Sequence, residues 1–261
     1  MFSTEFLHVV RQYEIDKITT FFNKDAHILE IGGGTGYQAK QLADRGFKIV
    51  SIDVPTSNYS GRRVYPVVDY DGRQFPFRDS VFDIVFSSNT LEHILDLDQL
   101  YRESRRVLKP KGYWVHVMPS AAWRFWTSVA HYVELFQRWV QVFSRVCILG
   151  NGMLARLKWA LGEILKLAYQ YAVPPRHGEA GTVITELWSF SRPYWIRSFR
   201  RRGFSVLSAD PIGLFYTGHM VLGRRWSLNS RERTARFLGS ACVIYKISPQ
   251  SLDFSTQSPE Q

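Results

Sequence analysis

The chain has 261 residues, 45% of them hydrophobic and 15% aromatic, with a net charge of +10. That length and apolar content exclude a disordered chain and suit one sizeable α/β domain with insertions. Two cysteines, Cys147 and Cys242, exclude a disulfide framework and any cysteine-based metal cluster, and the absence of an 18-residue uncharged apolar run excludes a membrane-spanning helix.

Residues 2–23 place apolar side chains at Phe6, Val9, Val10, Tyr13, Ile18, Phe21 and Phe22, the spacing of an amphipathic helix packed under a sheet. Charges through the same stretch leave no secretory leader to expect, so a reducing, cytoplasmic setting is expected. Ile28-Leu29-Glu30-Ile31 reads as a buried strand that breaks into glycines at 32, 33, 34 and 36, and a helix over 35–45 stops at Gly46. A strand, a glycine turn and a helix form the edge at which open α/β sheets bind nucleotide-like ligands. The spacing is not Gly-x-Gly-x-x-Gly, because Tyr37 stands where the third glycine would fall, and no Gly-Lys-Ser/Thr follows. What is present is Glu30-x-Gly32-x-Gly34-x-Gly36. An acid ahead of the loop repels a pyrophosphate and suits a ligand carrying an ammonium group.

A second strand over 48–53 ends on Asp53, placed to accept hydrogen bonds from ribose hydroxyls; the plainer reading is a turn residue before Pro55. Strands follow at 64–68, where Pro66 weakens the pattern, and at 81–87. A helix over 97–108 halts at Lys109-Pro110-Lys111-Gly112, and a fifth strand covers 113–118. Taken with Asp71-Gly72-Arg73-Gln74-Phe75-Pro76-Phe77, Phe82-Asp83 and Leu91-Glu92-His93, the acid-glycine loop resembles the class I S-adenosylmethionine-dependent methyltransferases. The likeness is close over 28–118 and loose over 189–247. It implies a Rossmann-like, doubly wound, mostly parallel seven-stranded α/β sheet and S-adenosyl-L-methionine as cofactor. It further implies a cofactor site of Glu30, Gly32, Gly33, Gly34, Gly36, Asp53 and Val54. Asp71, with Asp69 as its alternative, would accept from the adenine amino group, the Gly72 backbone would lie along the adenine edge, and Ser87 and Ser88 would line the methionine end.

From 119 to 188 the strand–helix alternation lapses. Trp126, Val129, Ala130, Val133, Phe136, Val140 and Phe143 form one helical stripe; Met153, Leu157, Leu161, Ile164, Ala168 and Tyr171 form a second after a break at Gly150-Asn151-Gly152. Between them stand Arg124, Arg138, Arg145, Arg156, Lys158 and Lys166. The bland reading is a helical cap whose stripes pack on the domain; the sharper one is a basic amphipathic pair resting on an anionic membrane. Residues 1–118 are thus expected to hold the N-terminal helix and the cofactor-binding half, 119–188 a helical cap or substrate insertion, and 189–247 the rest of the methyltransferase domain. In that last part, a helix over 191–202, a strand from Gly203 and a final strand over 241–247 flank a second insertion at 211–240. Residues 248–261 read as a disordered tail.

A general base is required only when the acceptor holds its proton, as a hydroxyl does. The candidates are His93, His177 (with Glu179 to orient it) and His219; for each, a structural or solvated histidine is the bland alternative. No metal site is expected. The aromatic, basic insertions suit a small or amphiphilic acceptor, such as a lipid-linked or glycan precursor, methylated on oxygen at the inner face of a membrane. The basic charge alone speaks for nucleic acid, which the missing Asn-Pro-Pro-Tyr pattern disfavours, and the missing third glycine and Tyr-x-x-x-Lys pair disfavour a nicotinamide oxidoreductase. A non-catalytic binding subunit of the same fold stands as the alternative.

Overall fold

The computed structural model describes residues 4–146, 152–220 and 223–250. Cys147, the Gly150-Asn151 part of the expected break and the tail from 251 lie outside them. The elements in chain order are α1 (Thr4–Ile18), β1 (His27–Ile31), α2 (Tyr37–Asp44), β2 (Lys48–Asp53), β3 (Val67–Asp69), β4 (Phe82–Ser88), α3 (Leu97–Val107) and β5 (Leu108–Pro119). They continue with α4 (Ala121–Val146), α5 (Met153–Gln170), α6 (Val183–Ser189), α7 (Arg192–Arg201), β6 (Phe204–Pro211), α8 (Leu228–Leu238) and β7 (Cys242–Pro249).

The seven strands form one sheet in the order β3-β2-β1-β4-β5-β7-β6. The first five run parallel, and β7 is antiparallel to both β5 and β6. Parallel strands covered on both faces read as continuous apolar runs, which is why β1, flanked by β2 and β4, is buried at four successive positions. Alternate side chains then feed opposite layers. Ile28, Ile84, Phe86 and Val115 meet Val10 of α1 and Leu42 of α2 on one face. Leu29, Val85 and Trp114 meet Leu100 of α3 and Trp195 and Phe199 of α7 on the other.

Several boundaries depart from the sequence reading. The third strand begins at Val67, so Pro66 stands just outside the ladder, where its missing N–H costs nothing. The Lys109-Pro110-Lys111-Gly112 stop ends the helix but lies within β5, because Leu108 already pairs with Phe82 before a register irregularity. Ser248 and Pro249 finish β7 instead of opening the tail. Ser191 caps α7 by accepting from Tyr194 N–H, and Gly46, at φ 87°, closes α2.

The chain runs outward from β1 through β2 to β3, then returns to start β4 on the other side of β1. That reversal is the topological switch point, and the crevice beyond the carboxyl ends of β1 and β4 is where such sheets bind ligands.

Candidate active site at the switch point

Glu30 and Ser51 are register partners on β1 and β2, and Asp53 lies two residues further along the same face. Ser51 Oγ donates to Glu30 Oε2 at 2.6 Å, wholly buried. Burial, opposed by the Ser51 bond and reinforced by the Asp53 charge, pushes the Glu30 carboxyl up to about 7. Asp53 accepts from Gly34 N–H on Oδ2 at 2.9 Å and from Val54 N–H on Oδ1 at 2.8 Å. Each oxygen retains a lone pair for a further donor, such as a ribose hydroxyl.

Close approach explains the glycines. Gly32 and Gly33 both donate to the Ile52 carbonyl, which draws the loop over β2. A Cβ on Gly33 would stand 1.8 Å from Ser51 Oγ, and one on Gly32 would meet the Thr90 side chain at 2.4 Å. Gly34 carries a positive φ and lies under the Tyr59 ring, a neighbour that no sequence signal singled out.

The remaining cofactor candidates divide. Gly72 sits against Val54, which brings the turn after β3 to the rim of the same crevice. Asp71 Oδ1 accepts from Arg73 N–H and Gln74 N–H, each at 2.8 Å, and those bonds hold its carboxyl below the usual range. It opens on a groove of about 440 Å³ shared with Gln74, Phe75 and Arg78. The alternative acid, Asp69, is tied to Arg63 at 2.5 Å. Ser88 Oγ accepts from Asn89 and is partly exposed at the strand end. Ser87 departs from expectation. Alternation turns its hydroxyl away from the crevice and onto His116 Nδ1 at 2.8 Å in the interior, so its side chain does not line the methionine end. Burial drives His116 down to about 3, keeping it neutral.

Two of the three histidines converge. The Leu91–His93 turn follows β4, and the rings of His93 and His177 lie 5.2 Å apart. Glu92 Oε1 stands between them, 3.7 Å from His177 Nε2 and 4.0 Å from His93 Nε2. Glu179, expected to orient His177, instead faces His93 Nδ1 at 3.5 Å. Glu186 Oε1 accepts from the backbone N–H groups of both His177 and Gly178 and so holds the loop that carries the His177 ring. Arg124 stands 3.2 Å from the other oxygen of Glu186, in a buried ion pair. His219 is held elsewhere, 3.0 Å from Glu134 on α4 and beside His131. Glu134 is eleven residues, about 16 Å of helix, beyond Trp123, whose ring packs on His177. His219 is not part of the group formed by Glu92, His93 and His177. Glu92, His93 and His177 present one ligand atom each within 4.8 Å of one another.

Most of the two stripes do not pack on the domain, although Ala130 is buried and Trp126 donates to the Leu238 carbonyl and meets the Phe215 ring. Phe136 is 64% exposed, Leu161 59% and Tyr169 86%, and Phe125, Val129, Val133, Val140 and Phe143 share the outward face of α4. The two helices pack on each other in antiparallel fashion, Tyr171 reaching Glu134 and Arg156 reaching the Val146 carbonyl. Arg124 is buried with Glu186 and does not belong to the basic surface, whereas Arg138, Arg145, Lys158 and Lys166 are exposed.

Residues 29–116 match the family model described as a methyltransferase domain. Malonyl-[acyl-carrier protein] O-methyltransferase of Geobacter sulfurreducens is 36% identical over 96 residues, 33% of this chain and 36% of that protein. Ubiquinone biosynthesis O-methyltransferase of Bartonella tribocorum is 23% identical over 145 residues, 49% of this chain and 59% of that protein. Each match thus covers less than two-thirds of the relative's own length. Among solved structures, an S-adenosylmethionine-dependent methyltransferase from Mesorhizobium loti superposes with a TM-score of 0.51 at 12% identity, over 90% of this chain and 97% of that one, a likeness of fold.

Proposed function

We propose that the chain, whose residues 29–116 match a methyltransferase domain, transfers the sulfonium methyl group of S-adenosylmethionine to an oxygen of a small, amphiphilic acceptor at an anionic membrane surface. The observation that carries the cofactor half of this reading is the joined set of Glu30, Ser51, the glycine loop and Asp53 at the switch point. In it, the Glu30 carboxylate suits the cationic methionine end and Asp53 the ribose, with Val54 and Gly72 along the adenine and Asp71 at the rim.

Methyl transfer is an in-line displacement. The acceptor oxygen forms the new O–CH₃ bond as the S–CH₃ bond breaks, and sulfur keeps the electron pair. The cofactor supplies the electrophile, so the protein's part is to orient the two reactants and exclude water. The hydroxyl proton passes to a base, for which the His93–His177 pair around Glu92 is the better-placed group. His219, held on α4, is not used.

The acceptor class rests on the α4–α5 hairpin. Its outward face is apolar, the helix pair also carries the exposed bases Arg138, Arg145, Lys158 and Lys166, and among the described residues no helix is long and apolar enough to cross a membrane. Such a helix pair suits the lipid interface, where each base near an anionic surface contributes about 1 kcal/mol. The two relatives named above act, by their names, on malonyl-[acyl-carrier protein] and in ubiquinone biosynthesis, and both are O-methyltransferases.

Calorimetry with S-adenosylmethionine and its demethylated product tests the cofactor half; saturable binding is expected, and its absence would end this reading. Radiolabelled methyl transfer into lipid and glycan extracts, with and without anionic vesicles, tests the acceptor half. Label confined to water-soluble polar products would remove the amphiphilic class.

A further inference from the structure

We propose that Glu92, His93 and His177 form a binding site for a divalent transition-series cation, such as manganese or zinc, at the rim of the crevice. Glu92 is the starting point. Its side chain is 1% exposed, and neither carboxylate oxygen has a hydrogen-bond partner. A buried carboxylate is costly unless a cation or donors compensate it. The groups facing Glu92 Oε1 are the Nε2 atoms of two imidazoles, at 3.7 and 4.0 Å. Ligands bonded to one cation at about 2.0–2.2 Å stand roughly 3–3.5 Å apart. The three atoms are therefore within side-chain adjustment of a coordination sphere.

The surroundings are those of a ligand set. His93 turns its other nitrogen, Nδ1, to Glu179 Oε1 at 3.5 Å, the carboxylate–imidazole pairing that fixes tautomer and raises basicity in metal-bound histidines. His177 is seated by its own backbone N–H on Glu186, whose charge Arg124 offsets. Glu179 N–H donates to the Glu92 carbonyl at 3.2 Å, which pins the His177 loop to the turn carrying Glu92 and His93. The ligand-bearing segments are thus tied to each other by backbone and buried bonds.

Two imidazoles and one carboxylate form a mixed nitrogen–oxygen set that leaves positions open, suited to manganese, iron, cobalt or zinc. Calcium and magnesium favour oxygen-only shells. The turn begins one residue after Thr90, whose side chain fills the space over Gly32. With the cation bound, the two Nε2 atoms serve as ligands in place of the proton-accepting role given to them above, and the open positions are offered to an acceptor oxygen near the glycine loop; that last clause rests on the methyl-transfer reading, whereas the site does not.

The test uses the full chain, freed of metal with a chelator and titrated with manganese(II) chloride and, separately, zinc chloride. One equivalent per chain is expected. Glu92→Gln and His177→Ala should each weaken manganese binding by more than about tenfold, and Glu179→Gln by roughly tenfold, in line with outer-shell losses elsewhere. Pulsed electron paramagnetic resonance of the manganese-loaded parent should record nitrogen couplings from bound imidazole. Binding of the demethylated cofactor should be retained in all three variants, which verifies that they fold. Non-saturable metal binding, parent-like affinity in His177→Ala, or manganese without nitrogen coupling would each overturn the site. The last measurement needs no variant and decides even if every variant fails to fold. Loss of cofactor binding with metal binding intact would instead sink the methyl-transfer reading and leave the site standing.

Discussion

The edge of the sheet and the α4–α5 hairpin are built on opposite principles. At the edge, polar groups are buried: Glu30 against Ser51, Asp53 against the loop amides, and Glu92 with no hydrogen-bond partner. On the hairpin, large apolar groups are exposed and unmatched, Phe136 and Leu161 among them. A buried polar group is retained at a cost, and an exposed apolar patch is retained against aggregation. On the reading proposed above, the edge takes a compact charged ligand and the hairpin meets a broad apolar surface.

Substitutions sharpen the contrast. The largest loss of stability is expected from Arg124→Ala, where the hairpin joins the edge. Removing one partner of a buried ion pair costs about 3–5 kcal/mol, readable in urea unfolding, and a cost below that of an ordinary surface change would show that Glu186 finds another partner. Asp53→Ala comes next. It deprives two loop N–H groups and the proposed ribose of an ionised acceptor, so cofactor affinity should drop by about 100-fold, as expected for two bonds to a charged group; calorimetry measures it.

Glu30→Gln tests the buried acid through pH. With its carboxyl raised from 4.5 to about 7, the folded chain holds the proton more tightly than the unfolded chain does between those values. The parent should therefore lose stability as pH rises through that window, and Glu30→Gln should not. Binding of a cationic cofactor favours the ionised acid, so parent affinity should climb as pH passes about 7, with a flat profile in the variant. Melting curves and calorimetry from pH 5 to pH 8 separate these outcomes. The smallest effect on stability belongs to Phe136→Ser with Leu161→Ser, within about 0.5 kcal/mol because both side chains are exposed. The same pair should reduce co-sedimentation with anionic vesicles severalfold; unchanged co-sedimentation would refute the membrane face.

What the sequence made legible follows the range of the forces involved. The β1 strand, its glycine turn and Asp53 are local features, since a buried acid two residues before a glycine run already carries its chemistry in its spacing. The helical periodicity of α4 and α5 was equally plain. Its direction was not, because a stripe specifies a face and leaves open what covers it. The start of β5 was hidden by Pro110 and Gly112, residues that normally end elements, and here only pairing with β4 overrides them. Ser87 was placed by its position at the strand end, whereas alternation decides where its hydroxyl points. The grouping of His93, His177 and Glu92 arises from contacts between distant segments, and no spacing rule reaches that far.

The carboxylate of Glu186 has two tenants. One oxygen seats the loop that carries His177, and the other faces the guanidinium of Arg124 in the first turn of α4. A displacement of that helix would thus reach the loop carrying His177 through a single side chain.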